Sequence, residues 1–259
     1  MSEYEFVEVE RNERLTFITI NRPEVYNALH PPAHFEFDKV FNEFASDPDQ
    51  WVAIITGAGD RAFSAGNDLK YQAAGGSRKR PDTGFAGLTN RFDLNKPVIA
   101  AVNGYAMGGG FEIALACDLI VASENAVFAL PEPRVGLAAL AGGLHRLPRM
   151  IPQKQALGMI LTGRRVTADE GEQLGFVNEV TKPEELLSAA RRWADQILEC
   201  SPMSIRASKQ SVHQGLTEPR LENAIRTVYP AVQSLYDSSD FIEGPLAFSE
   251  KRAPKWKAE

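Results

Sequence analysis

Cysteine is scarce in this chain: among 259 residues only Cys117 and Cys200 carry a thiol, far apart and in no CxxC pair. A disulfide framework is therefore excluded, and both cysteines are expected to be buried, small apolar residues. Positive charge is also in deficit, since 28 Lys and Arg against 34 Asp and Glu leave a net charge of -6. That balance argues against nucleic-acid binding but not against a small anionic ligand held by a local patch. No uninterrupted apolar run reaches the length a membrane helix needs, and Met1–Glu5 is acidic where a targeting leader would be basic, so the expectation is a soluble, cytoplasmic protein. There is no P-loop and no G-x-S-x-G elbow, which removes the usual signatures of nucleotide hydrolysis and serine esterases. His30 and His34 stand four apart, but Pro31 and Pro32 separate them and no third ligand has metal spacing, which argues against a metal site.

What the chain does have is the composition of an ordinary globular protein, 44% hydrophobic and 24% charged, and enough length to bury a real core in one large domain or a domain with an appendage. It is organised around the stretch from Asn103 to Asp118, which contains Gly108-Gly109-Gly110-Phe111-Glu112. Apolar runs lead in (Val98–Val102) and out (Leu119–Ala122), so a buried strand is expected to feed a glycine turn that opens a short helix. Glycines at a helix start expose N–H groups with no intrahelical partner, and the aligned peptide dipoles add partial positive charge, so a developing anion can be held at Gly109 or Gly110. Glu112, in the first turn, sets a carboxylate beside that spot, as acid–base chemistry next to a carbonyl requires. An equally weighted reading gives the glycines only a packing role and has Glu112 complement the helix dipole.

Leu15–Ile20 alternates apolar and polar as a half-buried strand does, and Asn21-Arg22-Pro23 stops it. Phe37, Val40, Phe41 and Phe44 recur at helical spacing after Pro31-Pro32, predicting a helix through Ala45 that Asp47-Pro48 ends. Trp51–Thr56 reads as a buried strand running into Gly57-Ala58-Gly59-Asp60 and then Ala62–Leu69. A strand, a glycine turn and a polar helix start thus occur twice, at 51–69 and 98–115, and two such units side by side aim two glycine turns at a common place. Gly57-Ala58-Gly59-Asp60-Arg61-Ala62 fits a dinucleotide fingerprint, but Phe63-Ser64-Ala65-Gly66 interrupts the helix such a turn must enter directly. The polar segment from Tyr71 to Arg91 reads as a mobile loop. Its basic triplet Arg78-Lys79-Arg80 either meets ligand phosphates or forms a solvated face, the commoner case. A short strand at Ala126–Leu130 ends at Pro131-Glu132-Pro133, placing a second carboxylate, Glu132, where a strand opens into a Gly- and Ala-rich loop. Beyond residue 150 the pattern is mostly helical, with helices at 153–161 and 183–200, others from near Met203 and Glu218, and a break at Tyr229-Pro230.

Two glycine turns and two carboxylates form a coherent set. With Ala62-Phe63-Ser64-Ala65-Gly66-Asn67-Asp68-Leu69-Lys70, Lys96 through Glu112, Phe128-Ala129-Leu130-Pro131-Glu132, Leu161-Thr162-Gly163-Arg164 and the ending Glu243 through Arg252, the chain resembles the enoyl-CoA hydratase/isomerase family, the crotonase superfamily, over nearly its whole length. The resemblance implies an α/β fold, a ClpP/crotonase-like spiral of ββα units spanning 1–199 with CoA and the active site, and an α-helical region at 200–259 that builds trimers, usually paired into hexamers. It implies no separate cofactor, coenzyme A being part of the substrate, and a place in fatty acid metabolism. The N–H groups of Asn67 and Gly109 would form an oxyanion hole for the thioester carbonyl. Glu112 would activate water and Glu132 would orient it and deliver a proton to the α-carbon. The backbone around Ala28 and at Ala65, Asn67 and Leu69, with Gly109, would hold the substrate and its CoA, and Lys251 would reach CoA phosphates. Glu24 stands where many members have a lysine near the nucleotide, and Asn67 is larger than the alanine common at its position.

Phe85-Ala86-Gly87-Leu88-Thr89, Phe92-Asp93-Leu94, Leu130-Pro131-Glu132 and the C-terminal run look most like the carnitinyl-CoA dehydratase branch, whereas Ala138-Ala139-Leu140-Ala141 replaces a proline- and acid-containing loop associated with it. The expected reaction is hydration of a 2-enoyl-CoA thioester, because both glutamates are kept. Its rivals are a double-bond isomerase, which needs one carboxylate, carnitinyl-CoA dehydratase specificity, and a non-catalytic acyl-CoA-binding member, which needs neither.

Overall fold

Strands come in pairs along most of the chain. In the computed structural model, which describes residues 4–259, β1 (Val7–Asn12) and β2 (Leu15–Ile20) form an antiparallel pair and α1 (Pro31–Ser46) follows. Three units then each send one strand into a large sheet and a shorter one into a small sheet. They are β3 (Val52–Gly57) and β4 (Ala62–Ser64) with α2 (Leu69–Ala73); β5 (Val98–Val102) and β6 (Tyr105–Met107) with α3 (Gly109–Ala116); and β7 (Leu119–Ser123) and β8 (Val127–Ala129), leading to α4 (Gly143–Met150) and α5 (Gln153–Thr162). β9 (Val166–Thr167), α6 (Ala168–Leu174) and β10 (Glu179–Thr181) come next. Five helices complete the chain: α7 (Leu186–Leu198), α8 (Pro202–Gly215), α9 (Leu221–Arg226), α10 (Pro230–Tyr236) and α11 (Ser239–Ser249). The large sheet has the order β1-β2-β3-β5-β7-β10 and the small one β4-β6-β8-β9. Successive units pair in parallel in both sheets, so the chain winds as the expected spiral of ββα units.

The unbroken apolar runs are explained by burial on both faces of the large sheet. Ala53, Ile55, Val98, Ala100 and Val102 point into the main core with Phe37, Val40, Phe41 and Phe44 of α1. Val52, Ile54, Ile99 and Ala101 point the other way, against Leu186, Ala189, Ala190 and Ala194 of α7. Each of those phenylalanines is at most 1% exposed, and truncating one to alanine is expected to cost about 3–5 kcal/mol. Lys209 of α8 ties the C-terminal helices to this core, donating to Asp118 at 2.7 Å and to the Lys96 carbonyl at 2.9 Å. No helix among the described residues is long and apolar enough to cross a membrane.

Several expectations change. A short strand stands between each glycine turn and its helix start: Asn103-Gly104 turns the chain from β5 into β6, and only then do Gly108 and Gly109 open α3. Residues beyond 150 are not purely helical, since β9 and β10 extend both sheets. Nor is 71–91 a loop throughout, because Gly84–Thr89 folds inward around Phe85 and is buried against α1. Cys117 is buried as expected, but Cys200 is exposed because it follows the last turn of α7.

Candidate active site

Parallel strands deliver their C-terminal ends to one edge, so the three segments that leave β4, β6 and β8 emerge together. They are Ala65-Gly66-Asn67, Gly108-Gly109 and Leu130-Pro131-Glu132. Gly108 N–H donates to the Ala129 carbonyl at 2.9 Å, locking the second segment to the third. The first and second approach so closely that only glycine fits: Gly66 has φ +84°, and a Cβ there would lie 2.5 Å from the Met107 carbonyl oxygen and 2.7 Å from Gly109 N. The two turns anticipated from the sequence do converge.

That convergence leaves two donors open. A parallel bridge pairs Asn67 with Leu29 through the Gly66 carbonyl (2.7 Å) and the Asp68 N–H (2.8 Å), which turns the Asn67 N–H toward the opposite edge. Gly109 is the first residue of α3 and its N–H has no intrahelical acceptor. Neither N–H donates to another group among the described residues. The Asn67 side chain is turned aside, donating to Gln72 at 2.7 Å.

Both carboxylates flank this edge. A Cβ on Gly108 would sit 2.7 Å from Oε1 of Glu132, and the Glu112 N–H donates to the Gly108 carbonyl at 2.9 Å, so one glycine lies against both. Glu112 is 3% exposed, and its Oε1 accepts from Gly143 N–H, at the start of α4, at 2.8 Å. Burial raises its pKa from 4.5 to about 7; the Gly143 bond opposes the rise, the Glu132 charge adds to it, and the Ala141 N–H and the Arg80 charge also oppose it. Burial raises Glu132 as well, against the pull of its own N–H, and its Oε2 is buried with no hydrogen-bond partner among the described residues. A buried carboxylate oxygen without a partner is held ready for a group that the chain does not supply.

Of the residues expected to hold CoA, four are together. Ala65 N–H donates to the Tyr26 carbonyl at 2.9 Å, Asn27 is pinned by side-chain bonds to the carbonyls of Ala58 and Ala62, and Arg22 joins the Ala28 carbonyl to Asp68, the N-cap of the helix that Leu69 begins. Ala28, Ala65, Asn67 and Leu69 thus line one edge. Lys251 follows α11, where its N–H donates to the Phe248 carbonyl at 3.2 Å.

Three residues outside the set assigned to the site from the sequence complete it. Phe85 is 2% exposed and abuts Gly109, where a Cβ would meet the ring at 2.6 Å. His34 packs on Phe85 with ring centroids 4.3 Å apart, and its Nδ1 accepts from Ala86 N–H at 3.1 Å, which places the imidazole proton on Nε2. Burial, aided by Arg80, lowers the His34 pKa to about 3, so this ring is neutral. Arg80 lies over Phe85 at 5.1 Å and shares a pocket with His34, Asn67, Arg78 and Lys79. The basic triplet therefore faces the site rather than bulk solvent alone. From the sequence the triplet is open between meeting ligand phosphates and forming a solvated face.

A family model described as enoyl-CoA hydratase/isomerase matches residues 10–259. The chain is 46% identical over 262 residues to the carnitinyl-CoA dehydratase of Escherichia coli K12 and 45% identical over 265 residues to that of Salmonella arizonae, covering 98% of each chain in both cases. Among solved structures, an enoyl-CoA hydratase from Mycobacterium tuberculosis H37Rv superposes with a TM-score of 0.92 at 36% identity, covering 98% of this chain and 99% of that one. A carnitinyl-CoA hydratase from Mycobacterium avium superposes with a TM-score of 0.78 at 41% identity and the same coverage.

Proposed function

The chain belongs to the enoyl-CoA hydratase/isomerase family, and on that footing we propose that it is a hydro-lyase in which Glu112 and Glu132 add water reversibly across the double bond of a 2-enoyl-CoA thioester. The observation that carries this reading is the pair of carboxylates flanking two backbone N–H groups that have no acceptor among the described residues. The N–H groups of Asn67 and Gly109 hold the thioester carbonyl oxygen, drawing electrons from the β-carbon. Glu112, ionised and fixed through Oε1 by Gly143, takes a proton from water as the water oxygen bonds to the β-carbon. The π electrons move to the carbonyl oxygen as an enolate, and Glu132 gives a proton to the α-carbon. A proton passing from Glu112 to Glu132 resets the pair. Coenzyme A is part of the substrate, and no separate cofactor is required.

A second reading, carnitinyl-CoA dehydratase specificity, is favoured by the relatives at 45–46% identity that carry that name. The region 200–259 is assigned to assembly as a trimer or dimer of trimers; its helices leave Leu221, Ile225, Phe241, Ile242 and Phe248 exposed, apolar surface suited to a second copy.

The test follows the enoyl-thioester ultraviolet absorbance with crotonyl-CoA beside crotonobetainyl-CoA. Wild type is expected to hydrate at least one of them, and Glu112→Ala and Glu132→Ala each to lose about a hundredfold or more in kcat. Turnover of neither substrate, or undiminished variants, would refute the two-glutamate hydratase.

A further inference from the structure

The pocket that Asn67 shares with Arg80 is unusual in its charge. It is lined by Pro31, His34, Asp68, Tyr71, Gln72 and Ser77 as well as by Arg78, Lys79 and Arg80. None of the three cations has a carboxylate partner among the described residues. The one acid in the lining, Asp68, is already committed: its Oδ2 pairs with Arg22 at 3.1 Å and its Oδ1 accepts from Tyr71 N–H at 3.0 Å. His34 is neutral and presents Nε2–H, a donor. The Asn67 amide is spent on Gln72. The lining of this pocket therefore offers donors and positive charge and no free anion.

Arg80 is the member of the triplet that reaches Phe85, and like Arg78 and Lys79 it also keeps contact with solvent. Its guanidinium lies over Phe85, and Phe85 touches Gly109, one of the two groups that hold the thioester carbonyl. Its charge acts on both Glu112 and His34. An acyl chain anchored at Gly109 starts against Phe85, the ring that this guanidinium covers. A cation there attracts a carboxylate and repels a quaternary ammonium, and Arg suits a carboxylate because its planar fork donates two parallel bonds.

We propose that Arg80 is a specificity residue that receives a carboxylate at the far end of the acyl chain, so that this enzyme acts on CoA monothioesters of short unsaturated dicarboxylic acids in preference to trimethylammonium-bearing ones. The proposal rests on the hydratase reading above and adds the charge of the substrate to it.

The test compares glutaconyl-CoA (anionic), 2-pentenoyl-CoA (its neutral match in length) and crotonobetainyl-CoA (cationic) on wild type, Arg80→Gln and Arg80→Glu. Wild type is expected to favour the anionic substrate over the neutral one in kcat/KM and the cationic one least. Arg80→Gln is expected to lower the anionic-to-neutral ratio by about tenfold or more, the worth of a charge-assisted bond, and Arg80→Glu to raise the cationic-to-neutral ratio. Using ratios cancels any effect that Arg80 exerts through Glu112. Binding of the saturated pair, glutaryl-CoA and pentanoyl-CoA, measured by calorimetry, should show the same Arg80-dependent discrimination without turnover. A preference of wild type for crotonobetainyl-CoA, or a ratio that Arg80→Gln does not move, would overturn the proposal. A parallel loss for all substrates would overturn it too, by assigning Arg80 to the CoA phosphates. Selective binding without hydration of any substrate would sink the hydratase reading while leaving the charge preference standing.

Discussion

The Gly143 N–H donates to Oε1 of Glu112 at 2.8 Å, so the first residue of α4 grips a carboxylate carried in the first turn of α3. Two helix starts therefore meet at one carboxyl group. The positive ends of both dipoles offset part of what it costs to bury that charge. Oε1 is thereby fixed by the chain.

Gly143→Ala is expected to disturb that grip. A Cβ there would lie 3.1 Å from both Oε1 and Cγ of Glu112 and 3.1 Å from Ala139 Cβ, so the carboxylate must shift by a few tenths of an ångström. Small misplacements of a reacting group cost far more in rate than in stability. A fall in kcat of about tenfold or more is expected with KM and melting temperature near those of wild type; an unchanged kcat would show that the bond does not position the base.

The raised pKa of Glu112 makes a stability prediction opposite in sign to the usual one for an acid. Its folded value is about 7 against 4.5 for the free side chain, so the native protein holds this proton more tightly than the unfolded chain does. That contribution favours folding fully below pH ~4.5 and is lost as pH rises through about 7. Glu112→Gln keeps an acceptor for Gly143 and removes the charge. It is expected to melt above wild type at pH 8, by at most about 3 kcal/mol, and at the same temperature as wild type at pH 4.5. Glu132, Arg80 and Arg146 all face Glu112, so the pair titrates as a unit and kcat/KM is expected to be bell-shaped, each single Glu→Gln variant losing one limb. Melting curves at the two pH values and a rate profile check both parts.

Gly66→Ala tests the other half of the site. The φ of +84° and the contacts at 2.5 Å and 2.7 Å force the turn after β4 away from Gly109. Strain of this kind costs about 1–3 kcal/mol, and the loss of paired donors costs about a hundredfold or more in kcat. Near-wild-type turnover would mean that Asn67 and Gly109 do not act together on the carbonyl.

Much of this was legible in the residues themselves. Continuous apolar runs at Val52–Ile55 and Val98–Val102 identify strands buried on both faces, the Phe37–Phe44 stripe identifies a core helix, and the glycines at 66 and 108–110 identify turns too tight for a side chain. The short strands β4, β6, β9 and β10 were not legible, because two or three residues carry no period to read. Their parallel pairing is what sets the turns after β4, β6 and β8 on one edge.

The sequence by itself determined which chemical groups exist and that each follows a strand: two backbone donors at glycine turns and two glutamates. Only the tertiary structure decided that they share one site. Such proximity depends on sheet register and on which helix start meets which side chain, and neither is encoded in local spacing. The same holds for Gly143, recruited from 31 residues away to hold Glu112. It holds also for Arg80, whose polar neighbourhood reads as a solvated loop until Phe85 folds inward beside Gly109 with the guanidinium over its ring.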